Sequence, residues 1–200
     1  MPLAGLAAVP ASVAVVRARG ARRAGAAVVA GASVALVAFF RDPDRVPGGG
    51  AVLAPADGVV MAVEQEADGR VRVATFMRLN DVHVNRAPMD GVVRERRHLA
   101  GGHRAAFRSE SHRNERMEWT IETPLGELRL VQVAGWLARR IVPYRAPGDT
   151  VVRGQRLGMI RFGSRVDVIL PPGVETCARA GDRVRAGVTR LDAGVDGGVA

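Results

Sequence analysis

From Ala51 onward the apolar residues come in short runs closed off by glycine, proline and aspartate, and no stretch carries the spacing of an amphipathic helix. Runs of that length suit strands, so this part of the chain is restricted to a mainly β fold. Residues 51–54, 58–63, 71–77, 91–94, 117–122, 128–133, 158–162 and 166–170 each fit a strand. One unit, Gly148-Asp149-Thr150-Val151-Val152-Arg153-Gly154, returns as Gly181-Asp182-Arg183-Val184-Arg185-Ala186-Gly187. A turn, a short strand and another turn of this kind is common in small barrels that carry biotin or lipoate. The expected architecture is therefore mainly β (α+β), with a barrel-like or sandwich-like core resembling biotinyl and lipoyl carriers.

Residues 1–40 have another texture. Small apolar residues fill 3–16 and 24–40, and Arg17, Arg19, Arg22 and Arg23 lie between the two runs. The second run is marginal against the roughly 20 residues a helix needs to cross the hydrocarbon layer. Cytoplasmic retention of those arginines would also send everything after a true span outside. An apolar helical anchor in the membrane interface, as a shallow hairpin or helix pair, avoids this; the alternative is an apolar helix packed on the core. Arg41-Asp42-Pro43-Asp44-Arg45, Pro47 and Gly48 to Gly50 read as the linker into a second domain, 41–200, expected on the cytoplasmic side of the cell membrane.

Composition narrows the chemistry. The sequence holds no lysine, so all 29 basic residues are arginine. Pyridoxal phosphate, biotin and lipoate thus have no point of attachment, and no protein amine can form an imine with a substrate. The single cysteine, Cys177, excludes an internal disulfide and a cysteine-rich metal site. His98, His103 and His112 sit in an arginine-rich stretch without metal-ligand spacing, so no metal is expected. A net charge of +9 favours anionic partners, and with only 4% aromatic residues a membrane surface suits it better than nucleic acid. Arg94, Arg96, Arg97, Arg104, Arg108 and Arg113 read either as a surface facing anionic lipid or as a solvated loop, and Trp119 and Trp136 as core residues.

Gly163-Ser164 stands between two strand-like runs, and taken alone is an ordinary bend. Its surroundings, Arg161-Phe162-Gly163-Ser164-Arg165-Val166-Asp167-Val168, are more specific. They join Phe39-Phe40-Arg41-Asp42-Pro43-Asp44-Arg45, Ala54-Pro55-Ala56-Asp57-Gly58, Asn80-Asp81-Val82-His83-Val84-Asn85-Arg86-Ala87-Pro88, Asn114-Glu115-Arg116 and Val131-Gln132-Val133-Ala134-Gly135 in one ordered set. Over about residues 36–190 the sequence resembles the short bacterial and archaeal phosphatidylserine decarboxylase proenzymes, a group that includes the archaetidylserine decarboxylases.

The resemblance implies that the Ser164 hydroxyl attacks the Gly163 carbonyl, that β-elimination separates residues 1–163 from 164–200, and that Ser164 becomes a pyruvoyl group. That carbonyl condenses with the amine of a serine phospholipid and serves as an electron sink when carbon dioxide leaves. The expected partners are therefore this lipid, an anionic membrane surface and the complementary chain of an α/β heterodimer, with a C2 dimer of the whole as the default. His83 is the expected base and Asp57 its orienting carboxylate, with Asp81 as the alternative orienter. Longer members of the family carry a second histidine where this chain has Arg86; a guanidinium cannot act as a base, and holding the lipid phosphate is its expected role. The competing expectation from another class is a non-catalytic, membrane-tethered β-barrel domain that binds anionic partners.

Overall fold

The computed structural model describes the backbone of residues 8–102, 114–135, 140–161 and 164–194, and within these the side chains from residue 24 onward. Two compact units divide between Arg41 and Asp42. The first holds one helix, α1 (Ala8–Phe39), which runs unbroken through Arg17 to Arg23 where a hairpin or helix pair was expected. Pro10 falls in its first turn, where a missing N–H costs nothing, and alanine and arginine are good helix formers. Among the described residues no helix is long and apolar enough to cross a membrane.

The second unit is built of antiparallel strands. They are β1 (Gly58–Gln65), β2 (Val71–Met77), β3 (Val84–Arg86), β4 (Gly91–Leu99), β5 (Arg116–Thr123), β6 (Gly126–Ala134), β7 (Ile141–Pro143), β8 (Thr150–Val151), β9 (Arg156–Ile160), β10 (Ser164–Ile169) and β11 (Arg183–Val184). Eight form a large sheet in the order β11-β1-β2-β10-β6-β5-β4-β8, and three form a small one, β3-β9-β7. Alternate residues of β5 and β6, including Met117, Trp119, Ile121, Leu128 and Leu130, turn inward to the core, as the two-residue period of a strand requires. Within the large sheet only β10, in its middle, is buried along its whole length. Residues 51–54 make a single bridge, Leu53 to Arg190, in place of the expected strand.

The large sheet has an internal two-fold relation, centred on the Val168–Leu130 pair of β10 and β6. It exchanges β1 with β4, β2 with β5 and β11 with β8, and the registers follow. Gly58 faces Val184 as Gly91 faces Val151, and Val59 faces Phe76 as Val92 faces Glu122. Register shifts fall at Val60/Ala62 and at the equivalent Val93/Glu95. The Arg86 N–H donates to the Pro55 carbonyl (2.8 Å) while Leu53 donates to Pro88 (2.9 Å). The sequence carries the same duplication, because Ala54-Pro55-Ala56-Asp57-Gly58-Val59-Val60 returns as Ala87-Pro88-Met89-Asp90-Gly91-Val92-Val93. The Gly148 and Gly181 units are its other half and supply the two edge strands, β8 and β11. Nothing in this eight-stranded topology shows a likeness to the biotinyl carriers.

Candidate active site

Ser164 heads β10 and is fully buried. The preceding strand, β9, belongs to the small sheet, so the chain crosses between sheets immediately before this serine. Gly163, the expected other half of the cleavage site, lies outside the described residues. Ser164 faces Met77 of β2 on one side and Ala134 of β6 on the other, and its Oγ donates to the Met77 sulfur at 3.3 Å. A thioether is a weak acceptor, so the hydroxyl is held in place without a strong bond.

Met77 also ends a buried line of polar groups. Trp119 Nε1 donates to Gln132 Oε1 (2.8 Å), Gln132 Nε2 to Asn85 Oδ1 (2.7 Å), and Asn85 Nδ2 to Met77 Sδ (3.6 Å). Asn85 and Gln132 are both fully buried. The sequence signal for them was a polar residue at an inward strand position, which costs stability unless partnered. Their part at this site was not anticipated.

His83 lies just before β3 and is fully buried, and its Nδ1 is 2.9 Å from the Asp81 backbone carbonyl. A carbonyl only accepts, so Nδ1 carries the proton and a neutral ring keeps its lone pair on Nε2, as a base requires. His83 and Asn85 are two residues apart on one extended segment, continued by the Ile160 N–H to the His83 carbonyl. Strand alternation therefore puts both on one face of that segment, the face from which Asn85 reaches the Met77 sulfur that Ser164 also contacts. The Asp81 carboxylate is occupied elsewhere, accepting from Arg78 N (2.8 Å) and from Arg183 Nη2 (2.7 Å). Asp81 thus orients His83 through its main chain.

Asp57 was the expected orienter, and no hydrogen bond joins it to His83. Its carboxylate accepts Arg45 Nη1 (2.5 Å) and Nη2 (2.8 Å) and the Ala186 N–H (2.8 Å). Burial pushes this carboxyl up, but the Arg45 pair and the Ala186 N–H outweigh it and hold Asp57 below the usual carboxylate range. Its two-fold counterpart, Asp90, accepts Arg153 N (2.7 Å), the position equivalent to Ala186. The contact is shared by both halves: in each, this aspartate clasps the turn after an edge strand. Only Asp57 holds an arginine as well.

Arg86, expected to hold a phosphate, is 4% exposed, and its donors go to the Gly154 carbonyl (2.8 Å), the Pro43 carbonyl (2.9 Å) and Asp42 (3.3 Å). Through Nη2 it fastens the segment after Arg41. Asp42 and Asp44 also pair with Arg156, at 2.5 and 2.7 Å. The Arg41 to Arg45 motif, read as a linker, is thus a strap tied to the β unit by its last four residues. Arg94, Arg96 and Arg97 stand on β4 and not in a loop: Arg94 pairs with Glu122, Arg97 with Glu95 (2.5 Å), and Arg96 lies 5.8 Å from the Trp119 ring centroid. His98, next to last on the same strand, lies against Glu115 (2.9 Å), and Trp119 is a core residue. His103, His112, Arg104, Arg108, Arg113 and Trp136 lie outside the described residues. No cluster that could hold a metal ion occurs among the described residues.

Fold and site together define a mainly β domain organised around an interior serine. The residue pattern of the phosphatidylserine decarboxylase family matches residues 33–192, and the chain belongs to that family. It is 50% identical over 184 residues to the phosphatidylserine decarboxylase proenzyme of Thermobifida fusca, covering 91% of this chain and 85% of that one. Against the proenzyme of the same name from Streptomyces avermitilis the identity is 51% over 177 residues, covering 86% and 82%. A Halobacterium salinarum protein, provisionally named an archaetidylserine decarboxylase proenzyme, is 50% identical over 159 residues, covering 78% and 79%.

Proposed function

We propose that this chain is the proenzyme of a decarboxylase that converts a serine phospholipid to its ethanolamine form, and that Ser164 is the source of its pyruvoyl group. The observation that carries this reading is the fully buried Ser164 hydroxyl at the start of the central strand, donating to the weak acceptor Met77 Sδ. Ser164 Oγ attacks the Gly163 carbonyl carbon, and His83 takes the hydroxyl proton and returns one to the departing backbone nitrogen. The resulting ester then loses its α-proton and releases the Gly163 carboxylate. Addition of water and loss of ammonia complete the conversion of the residue that remains. The fit is chemical: the carbonyl must come from the chain itself, and with no lysine in the sequence the reacting amine must come from the substrate.

A pyruvoyl group at Ser164 would supply a carbonyl suited to the headgroup amine and to the electrons released with carbon dioxide. His83 then returns a proton to the headgroup carbon. In this reading the lipid is presented at a membrane surface by the first unit, whose Val28, Val29, Val34, Leu36 and Val37 are exposed. Relatives of both lipid types are similarly close, so the headgroup and not the lipid backbone defines the substrate class. Intact mass under denaturing conditions tests the reading. Two chains divided after residue 163, the smaller blocked at its N-terminus by a carbonyl, are expected. A single chain from wild-type protein that decarboxylates no serine lipid would overturn it.

A further inference from the structure

The two-fold relation of the large sheet supplies an internal control for the polar line that ends at Ser164. Met77 facing Ser164 corresponds to Thr123 facing Gly126, and Val73 corresponds to Trp119 through the paired registers of β2 and β5. The hydrogen bond from Leu170 N to the Val71 carbonyl corresponds to the pairing of Gln132 with Met117, so Leu170 is the counterpart of Gln132. The reciprocal bonds of Leu53 and Arg86 make Val52 the counterpart of Asn85. Where one half carries Trp119, Gln132 and Asn85, the other carries Val73, Leu170 and Val52, all three fully buried. The same backbone therefore closes its core with apolar residues when no serine is present. Burying two amides where Leu and Val suffice costs stability.

We propose that Trp119, Gln132, Asn85 and Met77 are positioning residues for Ser164, a role that rests on Ser164 being the self-processing nucleophile. The indole N–H can only donate, and this fixes the direction of the whole line. Gln132 must turn its oxygen to Trp119 and its NH₂ to Asn85, and Asn85 must then turn its NH₂ to Met77. The sulfur is pinned by one donor and receives the Ser164 hydroxyl as the other. A pinned thioether fixes the rotamer of Oγ. It cannot take the proton, so the hydroxyl passes to a stronger base at little cost.

Gln132→Leu tests this, because it installs the residue that the other half already carries. Cleavage would be followed in time after refolding, with thermal midpoints measured in the uncleavable Ser164→Ala background. The expected result is a rate about tenfold or more below wild type with the midpoint preserved or raised. Met77→Leu should slow cleavage likewise, and provides the second variant should Gln132→Leu fold poorly. Repeating both substitutions on Ser164→Cys separates positioning from general damage. The thiol is a poor hydrogen-bond donor, so the slowing should shrink to about twofold. Equal slowing of serine and cysteine forms, or a wild-type rate in both leucine variants, would overturn the positioning role. Failure of the wild-type chain to cleave would instead remove the reading of Ser164 on which it rests.

Discussion

Asp57→Asn compared with Asp90→Asn weighs the two halves of the fold against each other. Each substitution weakens one contact from a backbone N–H, at Ala186 or Arg153. At Asp90 that is nearly the whole loss, about 1 kcal/mol. At Asp57 it also leaves the Arg45 guanidinium, whose side chain is 5% exposed, with the Ala186 carbonyl (2.9 Å) and without its directly paired carboxylate. Removing one partner of a buried ion pair costs about 3–5 kcal/mol. At about 2–4 °C per kcal/mol for a chain of this size, Asp57→Asn should lower the midpoint by roughly 6–20 °C, and Asp90→Asn by a few degrees. Thermal unfolding in the Ser164→Ala background measures both without interference from cleavage. Because the folded Asp57 is held below its unfolded value of about 3.9, its contribution is complete above that pH and is lost as the pH falls through the folded value. The gap between the parent and Asp57→Asn should therefore be full at neutral pH and close in acid. Equal, small shifts for the two variants, with cleavage abolished only by Asp57→Asn, would refute the clasp and return Asp57 to the chemistry of Ser164.

Gly58→Ala should be far more damaging than Gly69→Ala. Gly58 has φ +155° and an added Cβ would lie 2.1 Å from the Phe76 carbonyl oxygen, whereas Gly69 has φ +80° and open space. Losses of about 3 kcal/mol or more against about 1 kcal/mol are expected in chemical denaturation, and similar losses would show that β1 and β2 pack less closely than described. After cleavage, residues 164–200 should stay with the rest of the chain, because β10 pairs along its length with both β2 and β6 and is buried throughout. One peak on native size exclusion and two chains in denaturant are expected; spontaneous loss of the smaller chain would count against this.

The strands that carry a clear two-residue period were legible in the sequence, and 71–77, 117–122 and 128–133 fall within a residue or two of β2, β5 and β6. Strands of two or three residues, such as β3, β7 and β8, have too few positions to show a period, so tertiary pairing alone defines them. Ser164 and His83 were singled out by the motifs around them, and both are fully buried. The partner of Asp57 was not, because nothing local to Ala54–Gly58 says that Arg45 will reach back across the strap. Asn85 and Gln132 were half legible: polar residues on inward strand positions announce a buried network, but which network depends on Trp119 and Met77 from other strands. Of the duplication, the Gly148 and Gly181 copies stand out through their glycines, while the Ala54 and Ala87 copies lie inside motifs that draw a separate reading.

The break in the two-fold relation accounts for where the site lies. In one half, β5 and β6 join through a tight hairpin between Thr123 and Gly126, with Thr123 Oγ1 donating to the Gly126 carbonyl at 2.7 Å. In the other half, the equivalent residues Met77 and Ser164 face each other without a connecting turn, and the chain reaches Ser164 from β9 of the small sheet. An end that the hairpin would close is thereby left to Asn85, which reaches Met77. The same arrangement makes a cut before Ser164 tolerable. β9 is paired with β3 and β7, and β10 with β2 and β6, so neither strand depends on the peptide between them for its ladder. The Thr123–Gly126 hairpin is different, since the two strands it joins are each other's ladder partners. If the proposed cut occurs, the absence of a hairpin at this one position is what would let its two products keep their ladders.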